Sequence, residues 1–317
     1  MALEGCWSQD EMDCESQAVA PAQDDAMSIE LKPVRCALCG GNDTRVRFRV
    51  RSQTPRWVWV DDVRYEVTGQ ETVVECRKCG LVYVSPRIAA SARLSTYSLQ
   101  DEMEYFRRTR ERRELAYKDL VLRLPEWLGR DVHTLLDIGC GDGALLEVAR
   151  QARIEGVGTE ISEGLRRDVQ SRIGKDAIVC ADLTRLPAHQ YDVVTLINVL
   201  EHLPNPYEIL QSASRLLTPG GILLVHVPNL GGLPARLRGA SWRHIEPLTH
   251  LTYFTARTLK ALVARAGLKP VDRFSLITAR GLLAQLQGVF EKAGLYVDNG
   301  LGVVAQSGRI SDGQRVR

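Results

Sequence analysis

Short apolar runs alternate with longer amphipathic segments along the second half of the chain. The runs, which are rich in β-branched residues, are TLLDIG, IEGVGTEI, AIVCADL, YDVVTLINVL and GILLVHVPN. Such runs are typical of parallel strands that are buried on both faces, and the segments between them predict crossover helices. Further on, a helix is predicted in TARTLKALVARAGL, and two more strands are predicted in KPVDRFSLI and GLGVVAQ. Residues 130–306 are therefore predicted to form a doubly wound α/β domain.

A different pattern covers residues 29–90, where apolar and polar residues alternate. The alternation in TRVRFRVRS, RWVWVDDVRYEV, ETVVEC and LVYVSP indicates antiparallel strands. A linker and a helix follow over residues 91–129. In that helix Phe106, Tyr117, Leu120 and Leu124 share one face, and the arginines of FRRTRERRE are predicted to lie mostly on solvated faces.

The two ends of the chain show no apolar period. Residues 1–28 carry only acidic ionisable side chains, and residues 307–317 are polar and turn-rich. Both ends are predicted to be disordered tails.

The composition limits the kinds of partner that this chain is expected to bind. With 317 residues, 44% of them hydrophobic, the chain can bury one full-sized core and still carry a smaller module. It has no apolar run long enough to cross a bilayer and no export signal, so a cytoplasmic protein without a membrane partner is expected. The net charge of +2 is too small to argue for nucleic acid as a partner. The oligomeric state is not indicated.

Four of the eight cysteines form two C-x-x-C pairs, CALC and CRKC, each followed by glycine. Cys36, Cys39, Cys76 and Cys79 would present four thiolates from two tight turns, as a tetrahedral Zn²⁺ ion requires. Because every ligand is cysteine, the zinc is predicted to be structural, within a zinc-ribbon β module. The alternative is four unrelated buried or redox cysteines.

The first strand of the α/β domain runs into the glycine-rich turn GCGDG, with Gly139, Gly141 and Gly143. In a doubly wound sheet, ligands bind beyond the carboxyl ends of the strands. A dinucleotide is one candidate, because the turn also satisfies G-x-G-x-x-A and Glu160 ends the next strand. Asp137 would repel a pyrophosphate, but it could serve a ligand that bears an ammonium and a sulfonium.

Five segments of this domain resemble the class I S-adenosylmethionine-dependent methyltransferases, over roughly residues 130 to 280. They are DIGCGDG, GVGTEIS, VCADLTRLP, YDVVTLINVLEHLPNP and LLTPGGILLVHVPN. The resemblance implies that the glycine turn and Asp137 receive the methionine part of S-adenosylmethionine, that Glu160 binds both ribose hydroxyls, and that Asp182 lies beside the adenine. It also assigns Asn198 to the cofactor site, and it implies a seven-stranded Rossmann-like sheet with its last two strands antiparallel.

The segment NLGGLPARLRGASWRHIEPLTHLTYFT is predicted to be a lid over the substrate, because long loops in compact domains are usually binding loops. Methyl transfer to a hydroxyl needs a base, and histidine suits that role. The predicted catalytic residues are Glu201 and His202, after the fourth strand, and His250 in the lid, with His244 as a weaker candidate. Alternatively, Glu201 and His202 satisfy free amides at the start of the next helix.

The predicted function is methyl transfer from S-adenosylmethionine to a small-molecule or saccharide acceptor. The zinc-ribbon cysteines followed by this domain resemble bacterial methyltransferases of saccharide and secondary-metabolite pathways. One alternative is an RNA methyltransferase that grips phosphates with Arg45, Arg47, Arg49 and Arg51. Another is a non-catalytic binding protein that keeps the same fold.

Overall fold

The structure is a computed structural model. It describes residues 28–49, 57–60, 63–68, 72–88, 94–95, 99–179, 182–276 and 299–308. The predicted tails lie outside these residues except at Ser28, Ser307 and Gly308, and Cys180 also lies outside them. Ser307 donates a hydrogen bond from its backbone amide to the Gly221 carbonyl (2.9 Å), so this residue of the predicted tail is bound to the α/β domain.

The described strands are β1 (Ser28–Lys32), β2 (Thr44–Arg49), β3 (Trp57–Val60), β4 (Val63–Thr68), β5 (Thr72–Cys76), β6 (Val82–Val84), β7 (Arg87–Ile88), β8 (Leu94–Ser95), β9 (Thr134–Ile138), β10 (Glu155–Thr159), β11 (Tyr191–Ile197), β12 (Leu217–Pro228), β13 (Thr252–Tyr253), β14 (Lys269–Phe274) and β15 (Gly300–Gln306). The described helices are α1 (Leu99–Leu128), α2 (Ala144–Gln151), α3 (Glu163–Ile173), α4 (Pro206–Leu216), α5 (Leu233–Arg238) and α6 (Ala256–Arg265). None of these helices combines the length and the apolar character that a membrane crossing demands.

The central sheet has the strand order β10-β9-β11-β12-β15-β14 in the described residues. Its first four strands are parallel, and β15 is antiparallel to both of its neighbours, as predicted. The strand predicted in AIVCADL is present as a single parallel bridge between Gly158 and Ile178. Six full strands and this bridge form the Rossmann-like α/β sheet that the sequence predicts.

Successive residues of the central strands point to opposite faces of the sheet, and apolar side chains bury both faces. On β9, Leu135 belongs to the cluster that includes α1 and α2, whereas Leu136 belongs to the cluster that includes α4 and α6. Leu224 and Leu223 on β12 divide in the same way. Both faces are covered because apolar residues occupy consecutive positions of these strands rather than only alternate ones.

The four-stranded sheet that follows the cysteine turns has the order β13-β6-β5-β2. Its fourth strand, β13, comes from the predicted lid and pairs antiparallel with β6, Thr252 opposite Tyr83. The ribbon predicted within residues 29–90 is therefore completed by residues of the α/β domain. Cys36 and Leu38 also share one buried cluster with Leu262 of α6, so the two parts have a common core.

A second N-terminal sheet has the order β7-β1-β4-β3-β8. It is not wholly antiparallel, because β1 runs parallel to β4 while β3 and β4 form an antiparallel hairpin. The alternating pattern therefore predicts β3 and β4 of this sheet, but not β1, β7 or β8, and not the parallel pairing of β1 with β4.

Candidate cofactor and acceptor site

The glycine turn after β9 has the left-handed backbone that glycine permits. The φ angles are 72° at Gly139, 56° at Gly141 and 71° at Gly143. A Cβ atom on Gly139 would lie 2.6 Å from a methyl group of Val199, and one on Gly141 would lie 2.7 Å from the ring of Phe106. Both the dihedral angles and the close neighbours therefore require glycine in this turn.

Glu160 holds this turn in place. Its Oε2 atom accepts a hydrogen bond from the Gly141 amide (3.0 Å), and its Oε1 atom accepts one from the Ser162 amide (2.8 Å). A carboxylate can accept hydrogen bonds at both of its oxygen atoms. The predicted contact with a ribose is compatible with this geometry, and it remains a prediction.

Asp137 is a buried carboxyl group at the end of β9. The hydroxyl of Thr195, on the neighbouring strand β11, donates a hydrogen bond to its Oδ1 atom (2.6 Å). The pKa of Asp137 is raised to about 7, mainly by burial; the Thr195 hydrogen bond acts to lower it, and the nearby carboxylates of Glu160 and Asp142 add to the increase. A carboxyl group beside the turn fits a ligand with cationic groups and disfavours a pyrophosphate.

Helix α1 covers the glycine turn through two arginines. Arg113 makes a bidentate contact with the carboxylate of Asp142 (both 2.7 Å), and Arg110 contacts the same carboxylate at 3.1 Å. The prediction that the arginine run faces solvent is therefore wrong for these two side chains, although Arg112 is exposed. The guanidinium of Arg113 also lies over the ring of Phe106, which packs on Gly141.

Two further predicted cofactor residues lie at the same edge of the sheet. Asp182 is exposed, and it accepts hydrogen bonds from the amide and hydroxyl of Thr184 (3.0 and 2.6 Å), so its described contacts are local. Asn198 directly follows β11 and has a φ angle of 55°, and its Oδ1 atom lies 3.1 Å from Nδ1 of His226. A left-handed non-glycine residue is uncommon and often marks a functional site. The cofactor roles of both residues remain predictions.

The predicted catalytic residues lie together beside the glycine turn. Glu201 and His202 form a 3₁₀ turn after β11, and the His202 and His250 rings pack edge to face with centroids 4.7 Å apart. The amide of Leu251 donates to the Glu201 carbonyl (2.7 Å), which ties the lid to this turn. Val199, which precedes the Glu201–His202 turn, packs against Gly139, so the predicted catalytic residues lie next to the predicted cofactor site.

His202 does not cap the following helix. Its Nδ1 atom lies 3.0 Å from the Thr249 carbonyl, whereas α4 begins at Pro206. Desolvation lowers the pKa of His202, and the neighbouring His250 lowers it further. Because 42% of the His202 side chain is still exposed, solvent screening limits this effect.

Glu201 is enclosed, with 1% of its surface exposed. Its Oε1 atom lies 3.9 Å from Nε2 of His202, and its Oε2 atom is buried without a hydrogen-bond partner among the described residues. Burial raises the pKa of this carboxyl to about 8. A carboxyl group in this state is unusual outside functional sites.

The four predicted zinc ligands converge on one point. The sulfur atoms of Cys36 and Cys79 lie 3.5 Å apart, as do those of Cys39 and Cys76, and all four lie within 4.8 Å of one another. The amides of Gly40 and Gly80 donate to the carbonyls of the first cysteine of each pair (both 2.8 Å). Four sulfur donors at these separations fit a tetrahedral Zn²⁺ ion with bonds of about 2.3 Å.

Comparisons with known proteins bear on the α/β domain. A family model described as a methyltransferase domain matches residues 108–273. The chain is 26% identical to a ubiquinone biosynthesis O-methyltransferase of Hydrogenovibrio crunogenus, over 52% of this chain and 65% of that one. It is 30% identical to the protein of the same name from Cereibacter sphaeroides, over 45% of this chain and 63% of that one.

A crystal structure of an S-adenosylmethionine-dependent methyltransferase from Archaeoglobus fulgidus is also similar. The identity is 23% and the TM-score is 0.46, with 64% of this chain and 99% of that chain covered. The chain spans 39% to 65% of the length of the first curated relatives that it matches.

The matched segment begins within α1, includes the glycine turn, Asp137, Glu160 and the Glu201–His202 turn, and ends in β14. Since the family model covers more than half of the chain, and the sheet order and glycine turn agree with it, the chain belongs to the class I S-adenosylmethionine-dependent methyltransferase family.

Proposed function

We propose that this protein transfers a methyl group from S-adenosylmethionine to a hydroxyl group of a small-molecule acceptor. The observation that carries the proposal is the pair of imidazoles, His202 and His250, beside the glycine turn. A hydroxyl is a poor nucleophile until its proton is removed, so a site for its methylation needs basic groups.

The hydrogen bonds of the two histidines define which nitrogen is basic. Each Nδ1 atom faces a backbone carbonyl, that of Thr249 for His202 (3.0 Å) and that of His244 for His250 (2.9 Å). A carbonyl oxygen only accepts, so Nδ1 carries the proton of each neutral ring. The lone pair of each ring is then on Nε2.

S-adenosylmethionine, when bound, supplies the methyl group on a sulfonium that is already activated to leave. The residues that would hold it are Asp137, the three glycines of the turn and Glu160, with Asp182 and Asn198 at the adjoining strand ends. The protein's remaining task is alignment, which can contribute roughly 7 to 11 kcal/mol. The contact of Val199 with Gly139 supports a short distance between the bound cofactor and the two histidines.

A small-molecule acceptor is favoured over RNA. Arg45 and Arg47, which an RNA-binding ribbon would need, both lie near the carboxylate of Glu75 (3.0 and 3.6 Å). The curated relatives named above are O-methyltransferases of ubiquinone biosynthesis, which supports an oxygen acceptor. A saccharide acceptor and a structural zinc ion in the ribbon belong to the same proposal.

The test is methyl transfer from labelled S-adenosylmethionine to panels of phenols, saccharides and RNA. We expect label in a hydroxyl-bearing small molecule. His202→Ala should lower kcat by about 10²- to 10⁴-fold and leave the calorimetric affinity for S-adenosylhomocysteine unchanged, because the histidine lies on the acceptor side.

His133→Ala is the matched control, since His133 is an exposed histidine before β9. Labelling of RNA alone, or equal kcat values for the two variants, would overturn the proposal.

A further inference from the structure

Glu201, His202 and His250 form a cluster that the transfer of a methyl group does not by itself explain. One nitrogen or oxygen atom from each side chain lies within 4.8 Å of the others. Glu201 is 1% exposed, and its Oε2 atom has no hydrogen-bond partner among the described residues. A buried polar oxygen without a hydrogen-bond partner is costly, and a ligand bound at this position would offset that cost.

The two imidazoles are arranged as metal ligands usually are. Both Nδ1 atoms donate to backbone carbonyls, which fixes the rings and leaves each Nε2 lone pair free. The Nε2 atom of His202 lies 3.9 Å from Oε1 of Glu201. Two ligands bonded to one cation at about 2.1 Å lie no more than about 4.2 Å apart, so this spacing already fits.

The elements that carry the three ligands are fixed to each other. The Leu251 amide donates to the Glu201 carbonyl (2.7 Å), and the Thr249 carbonyl faces His202. The ligands therefore belong to a preorganised site rather than to two independent loops. Exposure of 42% of the His202 side chain leaves one side of the cluster open to a further ligand.

We propose that Glu201, His202 and His250 bind one divalent first-row transition-metal cation, with open coordination positions for the hydroxyl of the acceptor. Two imidazoles and one carboxylate suit Mn²⁺, Fe²⁺, Co²⁺ or Zn²⁺, and open positions are typical of catalytic sites. The site is distinct from the four cysteines, which leave no position open.

The catalytic role of this cation rests on the proposed function, whereas its binding does not. A cation lowers the pKa of a bound hydroxyl. With the cation bound, both imidazoles serve as its ligands and no longer as bases, so the O–H bond of the acceptor breaks, its electron pair stays on oxygen, and the proton leaves to water.

The test is a titration of the full-length, zinc-loaded chain with Mn²⁺, followed by electron paramagnetic resonance. Thiolates are poor ligands for Mn²⁺, so Mn²⁺ will not replace zinc at the cysteines. We expect one Mn²⁺ site per chain, and at least about 100-fold weaker binding in Glu201→Gln and in His250→Ala. The matched control is Glu246→Gln, which removes an exposed carboxylate of the same lid.

Circular dichroism of each variant verifies that it is folded, and a second titration of the unmodified chain with Co²⁺ reports nitrogen and oxygen ligands by weak d–d absorption. Absence of any Mn²⁺ or Co²⁺ site outside the cysteines, or equal binding by Glu201→Gln and Glu246→Gln, overturns the proposal. Methyl transfer that proceeds at full rate after removal of the second metal would overturn the cation's role and leave the proposed function standing. Metal binding without methyl transfer to any hydroxyl would overturn the proposed function and leave the metal site standing.

Discussion

Asp137 is the residue at which stability and ligand binding are expected to conflict. Its pKa rises from 3.8 to about 7, first because the group is buried. Below pH 3.8 the carboxyl is protonated in both the folded and the unfolded chain. Between that pH and 7 only the unfolded chain ionises, so the folded state loses stability as pH rises, by up to about 4 kcal/mol.

Asp137→Asn should therefore raise the melting temperature at pH 8 and change it little at pH 4. The same variant should bind S-adenosylmethionine more weakly at pH 8, because the negative charge for the cofactor's cationic end is gone. Differential scanning fluorimetry at both pH values and calorimetry measure the two effects.

Asp142→Asn is a control in which the expected change in stability has the opposite sign. Burial acts to raise the pKa of Asp142, but the guanidinium groups of Arg113 and Arg110 together outweigh it and lower that pKa, so this variant should lose stability at pH 8. If both asparagine variants moved in the same direction, the electrostatic account of Asp137 would be wrong.

The residues of the glycine turn could be predicted from the sequence, but not all of the side chains that contact them. Asp137, Glu160 and the glycines are recognisable because each lies within a few positions of a strand end. Thr195 is not, because it reaches Asp137 from a strand 58 residues away along the chain. Arg110 and Arg113 did leave a signal, since they fall at helical spacing between Phe106 and Tyr117, on the apolar face of α1.

At the scale of elements, α1 depends on its ion pairs with the glycine turn. Arg113 is 18% exposed and Asp142 is 8% exposed, so the pair is largely shielded from solvent. Arg113→Met should destabilise the protein by about 1 to 3 kcal/mol, because Asp142 loses its bidentate partner and keeps only Arg110. Urea unfolding measures the change.

Arg112→Met is the control on the same helix, because Arg112 is exposed and should shift stability by less than about 0.5 kcal/mol. Hydrogen exchange would show whether the segment of α1 around Phe106 opens more readily in Arg113→Met. Equal stabilities of the two variants would mean that α1 is held by its apolar face alone.

Some elements could not be predicted from local pattern because they are too short to have one. Strand β13 has two residues, and only its pairing with β6 makes it a strand. The segment AIVCADL had the composition of a buried strand, yet in the described residues it contributes one bridge. The long apolar runs of β11 and β12 were predictable because burial on both faces marks every position.

For the whole molecule, the ribbon and the α/β domain should unfold together. Cys36 and Leu38 share a buried cluster with α6, and Arg265 donates hydrogen bonds to the Ala37 and Leu38 carbonyls (2.9 and 2.7 Å). If the cysteines hold zinc, Cys76→Ser should lower one common melting transition, because a structural zinc contributes to folding directly. Calorimetry and zinc analysis check this expectation.

Cys140→Ser is the control, since Cys140 is buried but lies outside the cysteine cluster. It should keep the zinc that Cys76→Ser loses. Two separate transitions in the unmodified chain would show that the shared core does not couple the two parts.

The crossing of β13 into the ribbon's sheet also constrains how such proteins are recombined. A gene fusion that exchanged ribbons between relatives at residue 90 would leave the incoming β6 facing a β13 selected for another partner. The backbone hydrogen bond from Val84 to Leu251 (3.0 Å) lies one residue from His250, so a poor match there would move one of the proposed catalytic residues. The ribbon and residues 250–254 are thus expected to be inherited as one unit, and a chimera that transplants the first should carry the second with it.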